Sequence, residues 1–144
     1  MTSAAMGRGW TDVLSDVPLF SGLSKRQLNA IARVAQSRRF ARYTNIVRAG
    51  ERGDTFFVIL DGTVLVKPSG KRAVRLAAGD SFGEMALLDD APRSATVQAQ
   101  EEVFAMLLGR SAFSKLLARE PKIAIALLGT LAQRLRTAER SPSH

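Results

Sequence analysis

Three kinds of apolar spacing succeed one another along this chain. Leu28, Ile31, Ala32 and Ala35 recur at i, i+3, i+4 and i+7, the spacing of a helix face turned towards a core. The helix start is signalled just before them, with Ser24 as N-cap, Gln27 completing a capping box and Leu23 facing Leu28 as a hydrophobic staple. From about Tyr43 to Leu108 the pattern changes to short β-branched and aromatic runs punctuated by glycine, which predicts strands over 45–49, 55–60, 63–67, 73–77, 95–100 and 103–108. Asp61-Gly62 fits a tight hairpin turn between two of these strands and Pro68-Ser69-Gly70-Lys71 fits the next, because glycine accepts the positive φ that such turns require. Helical signals return after Gly109: Ser111 is placed to cap a short helix ending near Arg119, and Pro121 sits in the first turn of another. In that last helix Ile123, Leu127, Leu131 and Leu135 repeat every four residues beside Ala124, Leu128 and Ala132, a broad stripe that has to be buried. The tail Ser141-Pro142-Ser143-His144 stops it. The reading is mainly β, an antiparallel barrel or jelly roll with flanking helices: a helical lead-in over 10–42, the barrel over 43–108 and C-terminal helices over 111–140, all in one domain, 1–144.

Composition narrows what such a domain does. With 144 residues and 46% hydrophobic content, one core can form without metals or cross-links. No run approaches the roughly 18 apolar residues of a membrane span, and the first residues lack the apolar region of a secretory signal, so a soluble cytoplasmic protein with no membrane partner is expected. Cysteine is absent, which removes thiol catalysis, iron–sulfur clusters and Cys-based zinc sites. The single histidine is the terminal His144, which leaves no imidazole for a Ser-His-Asp arrangement or a histidine metal site. Neither an enzyme nor a metal protein is expected. The formal charge is +8, and no acidic residue falls between Asp16 and Glu51, where Lys25, Arg26, Arg33, Arg38, Arg39, Arg42 and Arg48 lie. That electropositive third suits an anionic ligand, an acidic partner or nucleic acid, but no recognition helix, zinc finger or aromatic platform accompanies it.

The stretch 79–96 carries the chemistry. Gly83 lets backbone approach a ligand, and a short helix over 84–88 would present free N–H groups and a positive dipole end to an anion. Arg93 adds a permanent cation able to grip a phosphate with two parallel hydrogen bonds, with the Ser94 hydroxyl beside it. Glu84 could accept from a sugar hydroxyl, so Glu84 with Arg93 suggests a ligand that has both a ribose and a phosphate. Met85, Leu87 and Leu88 read as packing that positions the short helix.

Phe-Gly-Glu-Met-Ala-Leu-Leu over 82–88, a short loop, then Pro-Arg-Ser-Ala-Thr over 92–96 closely resembles the phosphate-binding cassette of the cyclic nucleotide-binding domain family. The likeness runs from Leu19 to Arg140, and Gly50, Gly53-Asp54, Asp61-Gly62 and Gly79-Asp80 look like its turn positions, expected to be turns rather than ligand contacts. The resemblance implies an eight-stranded barrel, with the C-terminal helices as a lid, and a cyclic nucleotide ligand. It gives Glu84 and the Gly83 backbone to the ribose, Arg93 to the cyclic phosphate, and the Ala86 and Ser94 backbone N–H groups to the same phosphate. Met85 and Ala95 fall within the same ligand-binding segment, while Val66 and Val74 are candidates for an apolar wall beside the base and Arg134 for a contact to the base itself. Ser94 in place of threonine favours cyclic AMP, with cyclic GMP the alternative. The implied protein is a non-enzymatic sensor, a monomer or weak homodimer, whose last helix moves to signal to a protein partner or an output domain outside this chain. Two other classes stay open: a DNA-binding regulator using the basic third, which predicts salt-dependent DNA affinity without nucleotide, and a structural module with a disabled cassette, against which Glu84 and Arg93 are both in place.

Overall fold

The computed structural model describes residues 9–140. The expected end of the last helix at 141–144, with His144, lies outside them. Helix α1 (Trp10–Ser15), a 3-10 turn (Pro18–Phe20) and helix α2 (Lys25–Val34) precede the strands. The capping box at the start of α2 is formed: Gln27 N–H donates to Ser24 Oγ at 3.2 Å, and Ser24 N–H donates to Gln27 Oε1 at 2.9 Å. Ser24→Ala is therefore expected to lower stability by about 0.5–2 kcal/mol, read from the midpoint of urea unfolding at unchanged slope.

Strand β1 (Gln36–Phe40) follows at once, where a helical lead-in to residue 42 was expected. Ala35 turns extended at φ −82° and ψ 157° and ends α2, and β1 then pairs along its whole length with the last strand. Four of its five residues are exposed, so no apolar alternation marks it in the sequence. It is an edge strand, and Arg38 and Arg39 suit an edge that must not recruit another chain. The remaining strands are β2 (Asn45–Val47), β3 (Thr55–Asp61), β4 (Thr63–Pro68), β5 (Val74–Ala77), β6 (Ser81–Phe82), β7 (Ala95–Ala99) and β8 (Val103–Gly109). They form two antiparallel sheets ordered β1-β8-β3-β6 and β2-β7-β4-β5. This is the jelly roll of the expectation, with two facing sheets that do not close into a continuous barrel.

The first sheet is covered on both faces, which explains why its central strands read as unbroken apolar runs instead of alternating. Along β3, Phe56, Val58 and Leu60 join a helical-side cluster with Leu19, Phe20, Ile31 and Phe113, while Phe57 and Ile59 join an inter-sheet cluster with Val64, Val97 and Ala99. The two sets lie on opposite faces because successive side chains of a strand do. Phe20 meets Phe56 edge-on at 6.0 Å and Phe113 at 6.1 Å.

Helix α3 (Arg110–Arg119) and helix α4 (Pro121–Arg140) complete the chain. Ser111 does not cap α3: β8 runs straight to Gly109, and the helix begins at Arg110, whose N–H donates to the Asp54 carbonyl at 2.7 Å. A distant backbone carbonyl thus does the work expected of a local side chain. Ile123 and Leu127 are buried with Leu131 packed beside them, but Leu135 is 65% exposed, as are Ile125 and Leu128 to a similar degree. A helix of 20 residues spans about 30 Å, longer than the α3 and Pro18–Phe20 surface on which it lies, so the stripe outruns its support. No helix among the described residues is long and apolar enough to cross a membrane.

Candidate functional site

Strand β6 pairs with β3 through Phe82 opposite Phe57, whose rings stack at 4.8 Å. The chain then turns at Gly83, where φ is 82°, a conformation that costs a side-chain-bearing residue about 1 kcal/mol or more. A 3-10 turn over Glu84–Leu87 follows, one residue shorter than the predicted short helix. Leu87 is buried in the helical-side core and anchors the turn. Met85 and Leu88 are 48% and 37% exposed, so the packing role expected of all three falls to Leu87 alone. The return segment is clamped by backbone: Arg93 N–H donates to the Glu51 carbonyl and Gly50 N–H to the Arg93 carbonyl, both at 2.8 Å.

That clamp aims the Arg93 side chain between two glycines. A methyl group at Gly53 would stand 2.6 Å from Arg93 Nη2 and 2.7 Å from Cζ, and one at Gly83 would stand 2.6 Å from Nη1. Hydrogen is the only substituent that leaves room for the guanidinium on both sides. Gly53 is not a turn, contrary to expectation; Arg52 bridges to Pro92, and the chain runs on into β3. The guanidinium donates from Nη2 to the Thr55 carbonyl at 2.7 Å and lies 5.9 Å from the Phe57 ring centroid. Among the described residues no carboxylate is within ion-pair distance of it. Burial pulls its pKa down, with Asp54 opposing and the nearby Arg110 charge adding to the fall. A half-buried cation with spare donors and no anionic partner is prepared to hold an anion.

Three hollows share Arg93. One of about 250 Å³ is lined by Gly83, Met85, Ala86 and Ser94, one of about 120 Å³ by Val66, Phe82, Ser94 and Ala95, and one of about 190 Å³ by Gly53, Thr55 and Phe57. The structure therefore gathers Gly83, Met85, Ala86, Arg93, Ser94, Ala95 and Val66 around one place. Val74 stands opposite Val66 in the β4–β5 register but is half exposed and lines none of the three. The Ala86 N–H is taken by the Gly83 carbonyl at 3.0 Å, which leaves it a shared donor at best. Glu84 is paired with Arg134 of α4 at 3.2 Å, their side chains 21% and 46% exposed. A pair this exposed contributes about 0–1 kcal/mol, weak enough for an incoming hydroxyl to compete. Among the described residues no cluster of His, Cys, Asp or Glu could hold a metal ion.

Gly53, Thr55, Phe57 and Arg110 surround the site without having been singled out as site residues in the sequence. Gly53 was visible only as a glycine, with nothing local to distinguish a need for space from a need for positive φ.

Comparisons with known proteins bear on the family and the fold. The cyclic nucleotide-binding domain model matches residues 37–120. The chain is 39% identical over 109 residues to the cAMP-dependent protein kinase regulatory subunit of Debaryomyces hansenii, which covers 75% of this chain but 24% of that one. It thus spans about a quarter of the length of this curated relative. Its fold is similar to that of the N-terminal domain of a transcriptional regulator from Streptomyces coelicolor, with a TM-score of 0.78, 29% identity and coverage of 92% of this chain and 100% of that one. It is also similar to the regulatory domain of Toxoplasma gondii PKA solved with cAMP, with a TM-score of 0.67, 25% identity and coverage of 89% and 49%. With the family model matched across the strands and the cassette, and the same fold found in solved relatives, the chain belongs to the cyclic nucleotide-binding domain family.

Proposed function

We propose that this chain is a cyclic AMP receptor module with no catalytic step of its own, and that Arg93 is its phosphate anchor. The observation that carries this reading is the guanidinium held between Gly53 and Gly83, half-buried and with no carboxylate within ion-pair distance among the described residues. An exocyclic oxygen of the cyclic phosphate supplies the missing anion, and the Ser94 N–H and the shared Ala86 N–H complete its shell. The ribose 2′-hydroxyl donates to Glu84, beside the Gly83 backbone, and replaces or shares the contact from Arg134. The base then lies towards Val66 and Ala95, with Val74 at the rim and Met85 beside the phosphate.

Arg134 links this event to α4, because the residue that holds Glu84 in this structure sits on the last helix. Release of that contact is the signal, passed to a protein partner or to an output domain beyond these residues. The module works in the cytoplasm as a monomer or weak homodimer, without direct contact to DNA. Calorimetric titration of the wild-type protein with cyclic AMP and cyclic GMP tests the reading. We expect one site per chain and tighter binding of cyclic AMP; no heat with either nucleotide refutes it, and tighter cyclic GMP binding overturns the ligand preference.

A further inference from the structure

Arg110 is the first residue of α3, yet it reaches three other segments. Its N–H donates to the Asp54 carbonyl at 2.7 Å, its Nε to the Ala86 carbonyl at 2.8 Å and its Nη2 to the Gly53 carbonyl at 3.2 Å. The same Nη2 lies 3.5 Å from Asp90 Oδ1, while Asp90 Oδ2 is 3.1 Å from Arg52 Nη1. These partners are the walls of the site. Gly53 bounds the slot of Arg93, Ala86 closes the 3-10 turn of the cassette, and Asp90 belongs to the loop that returns to Arg93.

We propose that Arg110 is a positioning residue that holds the Gly53 wall and the Ala86 turn in one register and couples both to α3. The proposal rests on the reading of Arg93 as the phosphate anchor. A planar fork presents donors fixed in direction and set apart, here Nε to one carbonyl and Nη2 to another, whereas the three donors of an ammonium share one nitrogen on a flexible stem and do not reproduce that spacing. Arg110 is also close enough to depress the Arg93 pKa, so the two cations repel until an anion arrives, and the tie that holds Arg110 in place keeps that repulsion at the site. A brace serving the α3 start alone would need only the backbone bond to Asp54, and the side chain would have no reason to span the cassette.

The test is a cyclic AMP titration of the wild type, Arg110→Met and Arg110→Lys, followed by calorimetry and by backbone amide NMR. In the wild type, Ala86 and residues 111–119 should shift together along one saturation curve. Losing charge-assisted hydrogen bonds should weaken Arg110→Met by roughly 10- to 100-fold. At saturation its Ala86 signal should still move while those of 111–119 no longer do. A purely structural role would lower thermal stability and leave that shared response intact. Arg110→Lys keeps the charge and is the more conservative fold, so it carries the test if Arg110→Met fails to fold; it too should lose the response in 111–119. A preserved α3 response in either folded variant at saturating cyclic AMP, or full rescue by lysine, overturns the coupling. Absence of cyclic AMP binding by the wild type refutes the site reading itself and this proposal with it.

Discussion

Arg93→Leu is expected to leave the fold intact and to weaken cyclic AMP binding by about two to four decades, since stripping the partner from a desolvated charge costs roughly 3–5 kcal/mol. The size of the loss follows from how the wild-type site is built. Arg93 is half-buried, donates to a carbonyl and has no carboxylate within ion-pair distance among the described residues, so a bound phosphate would be its sole anionic partner. Leucine can pack against the Phe57 ring in the space the guanidinium leaves, and the backbone clamp to Glu51 and Gly50 does not involve the side chain. Thermal unfolding without ligand should therefore stay near the wild-type midpoint while calorimetry loses the binding heat. Retained affinity in a folded Arg93→Leu protein would remove the phosphate from this position.

Gly53→Ala should do nearly the same damage to binding by a different route. The added methyl collides with the far end of Arg93, a flexible tip that can swing aside, and Gly53 does not occupy the positive-φ region. The stability cost is therefore small, within about 1 kcal/mol, as for other substitutions that create no cavity and bury no polar group. The guanidinium, however, leaves the slot in which it meets the phosphate. With misplaced charge-assisted hydrogen bonds the affinity should fall roughly 10- to 100-fold. Paired urea unfolding and calorimetry separate the two effects. A large drop in stability with affinity preserved would show that Gly53 serves the backbone and not Arg93.

Much of this protein was legible in its residues because the signals are local. The capping box at Ser24 and Gln27 and the Pro121 helix start each involve groups a few residues apart, and each is found where the spacing placed it. Asp61-Gly62 is not the expected hairpin turn: β3 and β4 lie in different sheets, so it carries the chain from one sheet to the other, a placement that only the assembled sheets decide. The cassette is legible for the same reason as the capping box, since Gly83, Arg93 and Ser94 follow one another closely and gather around shared hollows, while Glu84 lines none of them and pairs with Arg134. Strand β1 was not, because an exposed polar edge strand is defined by its partner β8 and carries no periodicity of its own. The α3 start was misjudged because its N–H is satisfied by a carbonyl remote in sequence. The exposure of Leu135 could not be read from the stripe, since the extent of the supporting surface is a property of the assembled helices.

The sequence by itself determined the family, the order of helices, strands and helices along the chain and the identity of the charged groups that a ribose and a phosphate would need. Only the tertiary structure decided how those groups are held. Arg93 meets Thr55 across 38 residues, Arg110 meets Gly53 across 57, and Arg134 meets Glu84 across 50. Separations of that length leave no pattern in a single chain, because the energy of each contact depends on where the two sheets and the last helices bring the backbone, and that is settled by the packing of the whole core.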